Sequence, residues 1–177
     1  MIWPGGPVGR FEGYQGAGQN GLDGDVFLST HEKQLDAKRR LLVPSDFRAT
    51  ALAAVPGIEP FEGVYCFPAI SADCIECGGA AFFAMQRDVI NSYPPMTATR
   101  AAMQTRFYAS MHKLGFDTAG RITLPEKLCQ TFGLTGDVVI AGMGESFQIW
   151  EPAAYAKYLA EQDALVAAAF AKREAMI

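Results

Sequence analysis

Residues 27–44 read FLSTHEKQLDAKRRLLVP and residues 108–125 read YASMHKLGFDTAGRITLP, so a shift of 81 residues lays one stretch on the other. Five of the 18 positions then coincide: Ser29 with Ser110, His31 with His112, Asp36 with Asp117, Arg40 with Arg121 and Pro44 with Pro125. Four more pairs keep apolar character, namely Phe27 and Tyr108, Leu35 and Phe116, Leu41 and Ile122, Val43 and Leu124. Unrelated sequences of average composition would share about one identity over this length. Five, together with the superposition of the chain's two histidines, mark one unit written twice, and a repeat of this kind constrains the whole fold before any single element is assigned.

Each copy predicts a β-hairpin followed by a short helix. In the second, Asp117-Thr-Ala-Gly120 supplies an Asp that can start a type I turn and a Gly that tolerates positive φ, the chemistry of a tight hairpin with a bulge. Strands are expected over residues 107–116 and 121–124. Pro125 then opens a helix that Gly133 closes. A further hairpin is expected from residues 137–141 and 146–150. The first copy repeats the plan with a turn over residues 36–40, a strand to Val43, Pro44, a helix over residues 45–54 and a strand over residues 64–67.

Between the copies, residues 78–92 and 97–106 have helical patterning, interrupted by Pro94-Pro95. After Pro152, apolar or small residues at Tyr155, Tyr158, Leu159, Leu165, Val166, Ala169 and Phe170 share one helix face, which predicts packing on the body or on a neighbour. Residues 1–24 hold eight of the 18 glycines and too little aliphatic surface to offset the entropy of ordering, so they predict a flexible extension. The expected organisation is that extension, a first repeat with a helical insertion over residues 25–105, and a second repeat with a C-terminal helix over residues 106–177.

A strand-turn-strand-helix unit buries only one face of its strands. Two such units therefore predict an α+β, β-rich fold in which the copies combine about a pseudo-two-fold axis into one closed barrel with peripheral helices, leaving no sheet edge exposed.

The bulk properties narrow the function. With 177 residues, 50% hydrophobic and 19% charged, the chain reads as an ordinary folded protein, with neither a signal segment nor a bilayer-spanning run. A cytoplasmic location follows, and with it reduced cysteines. Cys74-Ile-Glu-Cys77 has redox or zinc spacing, but one such pair supplies only half of a zinc site. No metal, cofactor or small-molecule substrate is expected. With no nucleophile and base arrangement and no nucleotide loop, an enzyme is not expected either. The net charge of −4 means that any nucleic-acid contact must be local.

The turns offer such a locus. Lys38, Arg39 and Arg40 lie on the first and Arg121 on the second. They read either as a solvated edge that resists aggregation or as a surface for DNA, with Arg suited to guanine and Lys to phosphate. Asp36 and Asp117 are expected to hydrogen-bond the turn backbone, with Gly120, Pro44 and Pro125 setting its shape. His31 and His112 are expected to be packed in strands.

Asp36-Ala-Lys38-Arg-Arg40 followed by Pro44, and Asp117-Thr-Ala-Gly120-Arg121 followed by Pro125, resemble the paired signature of the MraZ family, and Phe147-Gln-Ile-Trp-Glu-Pro152 is similar to its later half. The resemblance covers residues 25–160. It implies a swapped-hairpin barrel of AbrB type, ring-like homo-oligomers, and binding to short direct repeats in double-stranded DNA. It also implies nucleoid association and transcriptional repression of a division and cell-wall operon. Lys38, Arg40 and Arg121 would be the DNA-contacting set, with Arg39 beside them. One departure is Arg39, where the family has Gly. If left-handed backbone is needed there, a side chain costs about 1 to 2 kcal/mol, and a reshaped first loop is expected. With three basic residues, that loop is expected to outweigh the second in binding. The alternatives are an oligomeric scaffold that binds no DNA and, on the spacing of Cys74 and Cys77 alone, a thiol enzyme.

Overall fold

A computed structural model describes residues 26–174. The Gly-rich stretch over residues 1–24 lies outside the described residues. The elements in order are β1 (Thr30–Gln34), β2 (Arg40–Leu42), α1 (Ser45–Ala51), β3 (Gly63–Pro68), β4 (Ile75–Gly78), α2 (Ala80–Ser92), α3 (Ala98–Phe107), β5 (His112–Gly115), β6 (Arg121–Thr123), α4 (Glu126–Phe132), β7 (Asp137–Gly142), β8 (Phe147–Trp150) and α5 (Pro152–Glu174). The mixed α+β class is as expected.

The halves exchange strands. β1, from the first copy, pairs antiparallel with β7 of the second, His31 opposite Ile140. β5, from the second copy, pairs antiparallel with β3 of the first, His112 opposite Cys66. Antiparallel pairing of β4 with β8 joins the halves into one six-stranded sheet of order β1-β7-β8-β4-β3-β5, and β2 with β6 forms a separate two-stranded ribbon.

The expected closed barrel is not seen. The six-stranded sheet is open, with β1 and β5 at its edges. The tight turns after β1 and β5 send the chain into the ribbon, whose three-residue strands pair with each other. Pairing across the first turn is limited to a single bridge, Leu35 with Leu41, so the ribbon does not join the six-stranded sheet into a closed circle.

Alternation along each strand distributes the core over both sheet faces. Val64 and Cys66, Ile75 and Cys77, Val138 and Ile140, and Phe147 and Ile149 point to one face, where the ribbon contributes Leu41, Val43, Ile122 and Leu124 and the helices contribute Phe47, Leu128 and Phe132. On the other face Val139, Ala141 and Trp150 meet Tyr155 and Tyr158 of α5, and Phe67 packs with Phe82, Ile90 and Phe107 of α2 and α3. Strands covered on both sides need apolar residues at successive positions, which is why residues 64–67 in β3 and 138–141 in β7 read as continuous apolar runs.

Local differences from expectation have local causes. The helix before β5 runs through Phe107, with Tyr108 still in helical geometry, so the strand starts only at His112, after the buried Phe107 has docked. Residues 75–78 form a strand missed by helical patterning that begins at Gly78. Bare glycine permits this junction: a Cβ at Gly79 would lie 2.3 Å from the Ala51 carbonyl oxygen. Only the first turns of α5 dock, and Leu159, Leu165, Val166 and Phe170 are exposed.

Candidate nucleic-acid interface

The two turns have one construction. In the first, the Arg39 N–H donates to the Asp36 carbonyl at 2.8 Å and the Asp36 N–H donates to the Arg40 carbonyl at 3.2 Å. The Asp36 carboxylate accepts from the Lys38 N–H at 2.8 Å, the Arg40 N–H at 2.9 Å and the Arg40 Nε at 2.6 Å. Each of these bonds recurs 81 residues later. Asp117 accepts from the Ala119 N–H at 3.0 Å, the Arg121 N–H at 2.9 Å and the Arg121 Nε at 2.8 Å. The Gly120 N–H donates to the Asp117 carbonyl at 2.8 Å.

The electrostatics follow from these bonds. The Arg40 N–H above all holds the Asp36 carboxyl below its usual 3.8, and the Arg40 guanidinium and the Lys38 N–H add to it against the opposing effect of desolvation. The Arg121 N–H, guanidinium and the Ala119 N–H do the same for Asp117. Hydrogen bonds to the charged form favour it. Both carboxylates therefore stay ionised and fix their arginine.

The fourth turn position requires left-handed backbone, with φ of 59° at Arg39 and 78° at Gly120. The expected reshaping of the first loop does not occur, since its main-chain bonds match those of the second turn. The Arg39 side chain helps to hold it there by donating from Nε to the Leu124 carbonyl at 3.3 Å.

The turns also hold each other's ribbon strand. The Leu124 N–H donates to the Arg39 carbonyl at 2.9 Å and the Val43 N–H to the Gly120 carbonyl at 3.3 Å. Pro44 and Pro125 follow at the N-caps of α1 and α4 with extended ψ, turning the chain into each helix. Lys38 is exposed, while Arg39, Arg40 and Arg121 are half-buried. Lys38, Arg39 and Arg40 sit together on one turn and Arg121 occupies the matching place on the other.

Comparison with known proteins bears on this architecture. The family described as "MraZ protein, putative antitoxin-like" matches residues 107–175. A protein of Caulobacter vibrioides named transcriptional regulator MraZ is 53% identical over 137 residues, covering 77% of this chain and 84% of its own length. The chain belongs to the MraZ family. A relative of the same name from Phenylobacterium zucineum is also 53% identical, over 77% of this chain and 82% of its own length. One from Rickettsia felis is 36% identical, over 76% and 87%.

The structure accounts for the remaining candidates in physical terms. Cys74 and Cys77 are three apart along an extended segment, so their side chains fall on opposite sheet faces, Cys74 beside Trp150 and Cys77 in the main core. They cannot grip one ion or close readily on each other. Burial pushes both thiols up, away from the nucleophilic thiolate. His31 packs edge-on against Phe47 at 5.1 Å, with its Nε2 3.9 Å from an Asp46 carboxylate oxygen. Among the described residues no cluster of His, Cys, Asp and Glu has metal-binding geometry, and no helix is long and apolar enough to cross a membrane.

Two features escaped the sequence reading. Glu76, opposite Gln148 where β4 meets β8, accepts from the Ser146 hydroxyl and from Gln148 Nε2 at 3.1 Å, and Trp150 Nε1 donates to Gln148 Oε1 at 3.1 Å. These polar groups satisfy one another between the halves. Arg48 of α1 lies against the second turn, where a Cβ on Gly120 would fall 2.6 Å from its Cζ. The 81-residue shift places Arg48 on Cys129, a mismatch in the repeat that was the available signal.

Proposed function

We propose that this protein is a sequence-specific DNA-binding transcriptional regulator whose two Asp-anchored turns meet the duplex with Lys38, Arg39, Arg40 and Arg121. The observation that carries the reading is the duplicated turn, in which Asp36 and Asp117 impose one backbone shape and one arginine orientation on two basic loops. Its relatives' name, transcriptional regulator MraZ, points to the same role. Phosphate contacts supply affinity and base-edge contacts supply sequence preference.

The net charge of −4 fits this role if several copies act together. A ring-like homo-oligomer facing short direct repeats raises the effective concentration of each later contact, so weak single modules add up. The two repeats, residues 25–105 and 106–177, would act within each copy as one exchanged unit of swapped-hairpin type. The protein would work in the cytoplasm at the nucleoid, repressing its own division and cell-wall operon.

The test is binding to duplex DNA from the region upstream of its gene, compared with the same duplex after its short direct repeats have been scrambled. A specific regulator binds the intact repeats more tightly, with affinity rising as repeats are added. Equal affinity for both duplexes removes sequence specificity. Oligomers with no DNA affinity establish the scaffold alternative.

A further inference from the structure

Val43 and Leu124 are equivalents under the 81-residue shift, and each has its carbonyl capped by an arginine drawn from a different place. Arg48 Nη1, on α1, donates to the Val43 carbonyl at 2.6 Å. Arg39 Nε, on the first turn, donates to the Leu124 carbonyl at 3.3 Å. The equivalent of Arg48 is Cys129 and the equivalent of Arg39 is Gly120.

Each turn is thus backed by one guanidinium. The second receives it from the neighbouring helix, over a glycine with no side chain to obstruct it. At the first turn the place equivalent to Arg48 is held by Cys129 of α4, and the turn's own fourth residue, Arg39, supplies the group. The Arg39 charge is felt at the Cys129 thiol, where it opposes the upward push of burial.

The pairing of charges separates these two arginines from the other two. Arg40 and Arg121 are held by Asp36 and Asp117 at 2.6 and 2.8 Å. Among the described residues neither Arg39 nor Arg48 has a carboxylate within 4.0 Å. Glu62 lines the same recess as Arg48 without pairing with it. A guanidinium carries five N–H donors. One is spent on a carbonyl that fixes its orientation and lowers the entropy cost of a further contact, and the others suit two-point recognition of phosphate.

We infer that Arg48 is a DNA-backbone contact of the second turn, the counterpart of Arg39 on the first, so that both turns present an unpaired guanidinium to phosphate. This inference rests on the DNA-binding reading above. On this account Gly120 is the place left open for Arg48. The loops are also more nearly equal in charge than their own sequences suggest.

The test is a salt titration of binding to the intact and the scrambled upstream duplex, using full-length wild type and the variants Arg48→Met and Arg48→Lys. Arg48→Met keeps most of the stem and loses the charge. It is expected to bind both duplexes roughly tenfold more weakly, the scale of one charged hydrogen bond. The slope of log K against log salt should also become shallower, by about 0.9 for each phosphate that is no longer neutralised. Arg48→Lys should recover the slope. Unchanged affinity and slope in Arg48→Met, with wild-type melting, would overturn the inference.

If Arg48→Met does not fold, the exchange can be read on the first turn. Arg39→Gly should weaken binding and shallow the slope, and Arg39→Gly/Cys129→Arg should restore both. A folded double variant that restores neither overturns the inference. Wild-type protein that binds no DNA removes this inference and the proposed function together. Wild type that binds beside an Arg48→Met variant of equal affinity and slope removes this inference alone.

Discussion

Leu41 faces Ile122 directly across the two-stranded ribbon, and the two are also equivalents under the 81-residue shift. A residue paired with its own counterpart lies on the local two-fold axis. The flanking pairs agree, with Arg40 opposite Thr123 and Leu42 opposite Arg121. The basic turns lie at either end of this short ribbon, which fixes their spacing.

Both residues are fully buried, so truncating either leaves a cavity at the axis. Leu41→Ala and Ile122→Ala should each cost about 2 to 5 kcal/mol of unfolding free energy, read from urea denaturation. Costs under about 1 kcal/mol in both would mean that the ribbon is not the tightly packed centre described here.

The paired carboxylates predict an acid response. Asp36 and Asp117 are depressed below 3.8 in the folded state, so they bind protons less readily there than in the unfolded chain. Their contribution is complete above the unfolded value and is lost as pH falls through the depressed folded values. Melting of wild type followed from pH 5 to pH 2 should decline, and the double variant Asp36→Asn/Asp117→Asn should decline less over that window. Parallel declines would show that the two carboxylates do not contribute.

The left-handed positions should respond in opposite ways. Gly120→Ala places a side chain on a backbone with φ of 78° and against the Arg48 guanidinium, and should destabilise by about 1 to 2 kcal/mol. Arg39→Gly relieves comparable strain but gives up the hydrogen bond to Leu124, worth about 1 kcal/mol net, so its stability should change little. Chemical denaturation of both variants checks the pair, and equal destabilisation would contradict this account of Arg39.

The exposed face of α5 belongs to assembly on the ring reading. Leu165, Val166 and Phe170 are 64%, 52% and 60% exposed, more apolar surface than a solitary helix end usually shows to water. Removing residues 163–177 should leave the urea midpoint of the body within experimental error while lowering the mass measured by light scattering. An unchanged mass would place the assembly contact elsewhere.

How much of this was legible in the sequence depends on the range of the interactions. The turns were readable because Asp36 and Asp117 act on backbone within four residues. The helix starts after Pro44 and Pro125 were readable for the same reason. The repeat announced two-fold symmetry but not which strands would pair, since β1 with β7 and β5 with β3 are joined over more than 40 residues. Closure failed as an expectation because it depends on where pairing stops. Arg48 was silent because its role comes from a carbonyl and a glycine on different segments, and only its mismatch with Cys129 hinted at it. Arg39 looked like a defect in the motif until the Leu124 carbonyl supplied its partner.

Lys38 offers the most direct test that these turns bind DNA, because its side chain makes none of the bonds that shape the turn, whereas removing Arg40 would also unpair Asp36. The measurement is the affinity of Lys38→Ala for the intact upstream duplex across a salt series, beside wild type. The account predicts binding weakened roughly tenfold, a shallower salt slope and an unchanged melting temperature. Affinity and slope equal to wild type would contradict it.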